Sequence, residues 1–412
     1  MVEFKRFELD NGLKVIVHED YSTPIVAVNT LYDVGARDEH PEKTGFAHLF
    51  EHLMFGGSKH IPSYDEPLQR AGGENNAFTS NDLTNYYITL PRQNVETAFW
   101  LESDRMLELA FTPKSLEVQR SVVIEEFKQR YLNQPYGDVW LHLRPLAYTT
   151  HPYRWPTIGK EIGHIEQATM DDVKAFFYRY YRPNNAILSV AGAISVDEVK
   201  ELTEKWFGPI PAGEKHQRSL PQEPEQVEFR SLTLHRAVPA DALYIAFHMC
   251  DRLHSDYYAL DLLSDVFSRG ASSRLYQKLV KSRRLFTEIQ AYISGDRDAG
   301  LFVISGKLMP GIEMKEAEAA VWEEIQLVQS EQIKPNELTK VKNKVEATIK
   351  FSTINVLDKA MGLAIAELIQ DADLLNNEFE FYTRVKEEDV KHVANRYLQR
   401  NNCVTLYYLK KE

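Results

Sequence analysis

The segment Asp172-Val-Lys-Ala-Phe-Phe-Tyr-Arg-Tyr-Tyr-Arg-Pro-Asn-Asn185 recurs without a gap as Asp389-Val-Lys-His-Val-Ala-Asn-Arg-Tyr-Leu-Gln-Arg-Asn-Asn402. The offset is 217 throughout, and Arg179/Arg396, Tyr180/Tyr397 and Asn184/Asn401 coincide. Identities at that density in one fixed register mark an internal duplication. In the first copy, Thr169-Met-Asp-Asp172 fits a capping box that starts a helix, and the strand Ala186-Ile-Leu-Ser-Val190 follows it. The chain is therefore expected to hold two copies of one α+β unit, each a mostly antiparallel sheet packed against helices.

Working outward, 412 residues are too many for one ordinary core and suit two domains of about 200. A Pro/Gly/charge-rich stretch without periodicity, Gly208-Pro-Ile-Pro-Ala-Gly-Glu-Lys and on to Pro221 and Pro224, separates them. The expected division is 1–210, a linker at 211–226, and 227–412. In the first half, Asn11-Gly12 turns a hairpin within 7–17, and strands follow at 25–32, 76–80 and 84–90. Helices are expected from Gln93 to Leu109 and from Pro113 through Phe127. The second half restarts with a strand pair at 227–234 and 243–249, then helices from Ser255 and at 274–281, then strands at 286–293 and 301–308.

Composition narrows the function. The chain is 43% hydrophobic and 26% charged, with no apolar run long enough to span a bilayer. A formal charge of −12 argues against nucleic acid as the main partner. Cys250 and Cys403 have no metal spacing and form no disulfide framework, which fits a reducing compartment. Met1-Val-Glu-Phe-Lys-Arg-Phe lacks a hydrophobic signal core. The expected location is cytoplasmic, or periplasmic if a leader has been removed.

The chemistry concentrates in Thr44-Gly-Phe-Ala-His48-Leu-Phe-Glu51-His52-Leu-Met-Phe-Gly-Gly57. On a helix, His48 and His52 lie one turn apart on one face with Glu51 beside His52, while Phe46, Leu49, Phe50 and Met54 make the remaining faces apolar. Burying two imidazoles and a carboxylate without partners costs several kcal/mol. Two histidines at this spacing can grip one zinc ion, and the carboxylate can act on a water the metal activates. This is the H-x-x-E-H inverzincin pattern. With 13 histidines in the chain the pattern alone is suggestive, two satisfied core histidines being the plainer reading; the buried setting and a suitable distant carboxylate strengthen it. A catalytic zinc needs a third protein ligand on another rigid element. The helix through Val122 and Val123 offers Glu125 and Glu126, about 100° apart, so only one can face the metal. Glu126, three and four residues after Val123 and Val122 on their expected inward face, is the one selected. The corresponding part of the second copy, Leu260-Asp-Leu-Leu-Ser-Asp-Val-Phe-Ser-Arg-Gly270, holds no histidine.

His48-Leu-Phe-Glu-His52 followed by Val122-Val-Ile-Glu-Glu126 resembles the pitrilysin/insulinase (M16) family of zinc peptidases, the short two-domain type akin to the mitochondrial processing peptidase subfamily. Gly72-Gly-Glu-Asn-Asn-Ala-Phe-Thr79, Thr84-Asn-Tyr-Tyr87, Leu101-Glu-Ser-Asp-Arg-Met106 and the duplicated half extend the resemblance over essentially the whole chain. It implies one Zn2+ per chain held by His48, His52 and Glu126, with Glu51 as general base. It also implies that the strand at Asn76, Ala77 and Phe78 receives the substrate as an added β-strand.

Two positions depart from the family pattern. Seven residues before the third ligand, where members commonly have a supporting glutamate, stands Gln119, whose amide can still hydrogen-bond a ligand. The arginine and tyrosine that active members carry in the C-terminal half, binding substrate and stabilising the oxyanion, align with Val280 and Thr287. Neither is a strong donor. The expected function is a zinc metalloendopeptidase acting on peptides or unfolded segments, paired as a dimer with a partner, such as a metal-free homologous subunit, that supplies the missing pair. Arg283 and Arg284 are local candidates for it. The alternatives are a non-catalytic peptide-binding or assembly subunit and a zinc hydrolase of non-peptide substrates.

Overall fold

The computed structural model describes residues 1–214, 217–295 and 297–411. The chain divides into two compact units, one comprising Met1–Leu132, Trp155–Pro221 and Lys350–Asn376, the other Asn133–Arg154, Gln222–Ile349 and Asn377–Glu412. These are not the continuous ranges expected from the sequence. The difference has a physical cause, because each sheet buries one face under a helix supplied from the distant part of the chain.

In the first unit, β1 (Lys5–Glu8), β2 (Lys14–Glu19), β3 (Ile25–Tyr32), β4 (Glu74–Thr79), β5 (Thr84–Pro91) and β6 (Ala186–Gly192) form a sheet of order β1-β2-β6-β3-β5-β4. Only β2–β6 is parallel. Every residue of β6 is buried, as a strand covered on both faces must be. The helix Val356–Ile369 packs on β2, β3 and β6, where Leu363 and Ala364 join Val2, Ile16, Leu31 and Ile187, and Ala360 meets Ala27 and Ala191. Small residues on that helix let it lie close to the strands.

The second unit repeats the plan. Strands β7 (Arg230–Arg236), β8 (Ala242–His248), β9 (Phe286–Ile293), β10 (Leu301–Leu308) and β11 (Cys403–Lys410) run in the order β7-β11-β8-β10-β9, with β7–β11 the parallel pair. The order matches β2-β6-β3-β5-β4 strand for strand. The helix Val139–Ala147 covers one face through Val139, Leu143 and Ala147, and a larger cluster around Leu260, Leu263, Val321 and Val341 fills the other. The expected pairing of β7 with β8 is not made: β11 lies between them, just as β6 separates β2 from β3.

The repeated segment explains why. Its helices run Met170–Tyr180 and Glu387–Tyr397, and each is followed by a single 3-10 turn and then an interior strand, β6 or β11. In the first copy Asn185 Nδ2 donates to the carbonyls of Tyr180 (2.8 Å) and Asp33 (3.2 Å). In the second, Asn402 Nδ2 donates to Tyr397 O (2.8 Å) and His248 O (2.9 Å). One asparagine thus closes the helix C-terminus and ties it to the end of the strand that the following residues will join. Among the described residues, no helix is long and apolar enough to cross a membrane.

Candidate metal centre

The motif helix spans Phe46–Leu53 in the first unit, with Phe46, Leu49, Phe50 and Leu53 buried. It begins at Gly45, whose φ of 88° lies in the left-handed region that glycine adopts without penalty. A Cβ there would sit 2.6 Å from the carbonyl oxygen of Ile158. The first N–H groups of a helix lack internal partners, and here Glu39 supplies them: Oε2 accepts from Gly45 N and Oε1 from Ala47 N, both at 2.8 Å. A buried carboxylate before the motif thus fixes the start of the helix that carries it.

His48 and His52 project from this helix with ring centroids 4.9 Å apart. The helix Pro113–Phe127 packs against it and delivers Glu126, whose Oε2 lies 3.6 Å from His48 Nε2 and 3.3 Å from His52 Nε2. The three donor atoms all fall within 4.8 Å of one another. Charge-assisted N–H···O bonds are shorter than this, about 2.7–2.9 Å. The tetrahedral edge around zinc, with bonds of about 2.0–2.2 Å, is about 3.3–3.5 Å. The two His–Glu distances fit that edge, so the three groups could hold one ion. Burial, followed by the charges of His52 and Arg130, pushes His48 down to about 3. Its imidazole is neutral near neutral pH, the form in which a histidine ligates.

Glu125 and Glu126 separate as their 100° offset requires. Glu125 is exposed and pairs with Lys128 Nζ at 2.7 Å, whereas the Glu126 side chain is 18% exposed. The face they were assigned by is only half as expected: Val123 is buried, but Val122 is 44% exposed. Glu126 falls angularly between them, at the boundary between core and open surface, where a ligand can be both rigid and reachable. Gln119 is half-buried and, among the described residues, makes no hydrogen bond to Glu126 or to either histidine.

Glu51 accepts a 2.6 Å hydrogen bond from Thr79 Oγ1. Burial raises its pKa, and Glu126 adds to the rise, while Thr79, His52 and Arg130 oppose it. Thr79 ends β4, the strand at the edge of the sheet, which pairs with β5 alone. Asn76, Ala77 and Phe78 lie in β4 opposite Tyr87, Tyr86 and Asn85. The Ala77 N–H donates to Asn76 Oδ1 at 2.8 Å, so it points away from β5, onto the open edge. Thr79 and Glu39 escaped the sequence reading because their roles depend on contacts across 28 and up to 8 positions. Arg130 carried a legible signal: it follows Glu126 by one helical turn, and its Nη1 lies 2.9 Å from Glu126 Oε1.

In the second unit, Val280 is partly buried against the core. Thr287 lies in β9, and its Oγ1 donates to Lys307 O at 3.1 Å. Arg283 pairs with Glu323, and Arg284 adopts a φ of 53°. Among the described residues, His48, His52 and Glu126 form the one cluster of three or more His, Cys, Asp or Glu side chains with metal-ligand spacing.

Residues 14–159 match the family model described as Insulinase (Peptidase family M16), and residues 167–345 match the one described as Peptidase M16 inactive domain. The chain is 30% identical over 410 residues to the zinc protease PqqE of Helicobacter pylori, covering 97% of this chain and 91% of that protein. The chain belongs to peptidase family M16. A crystal structure of a protease from Helicobacter pylori superposes on this M16 chain with a TM-score of 0.92 at 28% identity, covering 99% of this chain and 100% of that one. The probable mitochondrial-processing peptidase subunit beta of Schizosaccharomyces pombe is 28% identical over 312 residues, 72% of this chain and 67% of that protein. The two M16 models divide the chain into a region that contains the three clustered donors and a region matched as inactive.

Proposed function

We propose that the chain is a zinc-dependent endopeptidase that cleaves peptides or unfolded segments. One observation carries the reading: the donor atoms of His48, His52 and Glu126 stand 3.3–3.6 Å across the His–Glu pairs, with Glu51 adjoining. A zinc ion bound there supplies a Lewis acid for the scissile carbonyl and lowers the pKa of a water molecule. Glu51 takes the proton from the attacking water and passes it to the departing amine, its carboxylate oriented by Thr79. The peptide adds to the open edge of β4 along Asn76, Ala77 and Phe78. Its main chain displaces the Asn76 side chain from the Ala77 N–H, so recognition rests on backbone groups common to all sequences.

The duplication of this reading runs over 1–210 and 227–412, joined at 211–226, as repeats along the sequence rather than as the compact units, each of which takes in a segment of the other repeat; the matched strand orders support it. Val280 and Thr287 leave the C-terminal copy without an oxyanion donor at the aligned places, so we propose a dimeric enzyme whose partner, a metal-free homologous subunit, provides it. That the fission-yeast relative is named as a subunit supports this. Both cysteines are free, which supports a cytoplasmic location, the alternative being the periplasm if a leader has been removed.

The test is hydrolysis of a quenched peptide by the native complex, with metal content measured alongside. Glu51→Gln is expected to retain zinc and lose about 10²–10⁴-fold in kcat, and a chelator to abolish the wild-type rate. Cleavage that survives Glu51→Gln unchanged, or that ignores the chelator, refutes the assignment.

A further inference from the structure

Among the described residues, Glu126 is held from outside the three-donor cluster by Arg130, and the two oxygens of its carboxylate are divided between tasks. Oε1 lies 2.9 Å from Arg130 Nη1, while Oε2 faces His48 and His52. Arg130 sits in the π-helical turn Lys128–Leu132 that extends the helix Pro113–Phe127, a distortion that recurs at functional sites. Two other outer contacts that a ligand set of this kind can use are not made among the described residues. Among those residues Gln119 makes no hydrogen bond to Glu126, and the buried His48 Nδ1 has no hydrogen-bond partner. We propose that Arg130 is a positioning residue for the third ligand: its guanidinium pins Oε1 so that Glu126 presents Oε2 alone to a metal.

The consequence is chemical as well as geometric. A carboxylate free at both oxygens can close on a metal in bidentate fashion and fill the position that a catalytic site keeps open. One oxygen paired with an arginine leaves the other as the single donor facing the histidines, and outer contacts of this kind tune metal affinity. An exposed i,i+4 ion pair by itself contributes little. This pair differs on its acidic side: the Arg130 side chain is 68% exposed, but the carboxylate it meets is 18% exposed and turns its second oxygen toward His48 and His52. The neighbouring Lys128–Glu125 pair, 44% and 60% exposed, is the ordinary surface case and serves as a control in the same turn.

The proposal rests on the metal reading above, and its test needs no peptide. Zinc affinity of the metal-stripped full chain is measured by competition with a chromophoric chelator for wild type, Arg130→Ala, Arg130→Lys and Lys128→Ala, with circular dichroism to verify folding. Arg130→Ala is expected to weaken zinc binding about 10–100-fold. Arg130→Lys recovers part of the loss, because a shorter point charge keeps the ion pair without the reach of the guanidinium, and Lys128→Ala binds as wild type. The cobalt-loaded Arg130→Ala protein is expected to show weaker visible absorption than wild type, as an added oxygen ligand raises the coordination number. Wild-type affinity and an unchanged cobalt spectrum in Arg130→Ala overturn the role of Arg130 and leave the metal site standing. An equal loss in Lys128→Ala also overturns it, by reducing the effect to net charge. A wild-type chain that takes up no zinc, or takes it up equally after His48→Ala, overturns both readings.

Discussion

At the scale of single residues, the candidate site is a set of side chains whose protonation and direction are fixed by neighbours. Glu51 would be a mobile surface carboxylate on an isolated helix. In the folded unit its Oε2 is held by Thr79 at 2.6 Å, which selects one rotamer and leaves Oε1 for a proton. Removing that hydroxyl while keeping the shape, Thr79→Val, is expected to lower kcat about 10–100-fold, the equivalent of about 1.5–3 kcal/mol for a hydrogen bond to a charged group. Zinc content and KM are expected to stay near wild type. Steady-state kinetics with metal analysis checks this, and a change confined to KM would place Thr79 in substrate binding instead.

At the scale of elements, β4 and the Gln222–Glu223 segment show how edges and connections are held. The outer edge of β4 is a liability in a free protein, since unpaired backbone groups invite other strands. Here Asn76 covers the neighbouring N–H with its own side chain. Ala77→Pro deletes that outward N–H without removing a β5 contact, a substitution an edge strand tolerates. The expected result is a KM for peptides raised roughly 2–10-fold, as for one lost hydrogen bond, with little change in the thermal midpoint. Peptide kinetics and a thermal melt on the same preparation check it. Glu223 binds the backbone N–H groups of Thr149, Thr150 and His151 at 2.7–2.8 Å. Burial alone would raise its carboxyl, but these donors reverse that and hold it at about 2, against an ordinary 4.5. Since the folded value is depressed, the stability it contributes is present above the ordinary carboxylate range and lost as pH falls toward 2. The difference in melting midpoint between wild type and Glu223→Gln is therefore expected to be largest above about pH 5 and to shrink on acidification through that window.

At the scale of the whole molecule, the duplication makes a paired prediction. Asn185 and Asn402 perform the same task in their own units, each donating to two carbonyls. Asn185→Ala and Asn402→Ala are each expected to destabilise their unit by about 1–3 kcal/mol, seen by scanning calorimetry as comparable downward shifts of a transition. A loss in one variant only would show that the two copies no longer depend on the same contact. The copies have diverged elsewhere. The first carries one buried and one half-buried histidine on its motif helix, while the equivalent helix of the second, Tyr257–Ser268, is rich in leucine, valine and aromatic side chains that pack into the core. That helix carries no histidine; its acidic residues are engaged instead, Asp265 with Arg269 and Asp261 with Tyr382.

What was legible in the sequence was local or repetitive. The fixed offset of 217 gave two α+β copies, hydrophobic period and turn residues gave most strands and helices within a few positions, and the H-x-x-E-H spacing gave one face of one helix. These follow from geometry within a few residues of each other. The strand between β7 and β8 lies far along the chain, so a reading of neighbours paired the wrong partners. The inward face assigned through Val122 failed similarly, because which flank of a helix is covered depends on what packs against it. Only the tertiary structure could set Glu126 within reach of two imidazoles, Thr79 on Glu51, Glu39 at the start of the motif helix, and the helices Val139–Ala147 and Val356–Ile369 with the units they cover. Sequence determines which surfaces are apolar and which side chains can bind; long-range packing alone decides which of them meet.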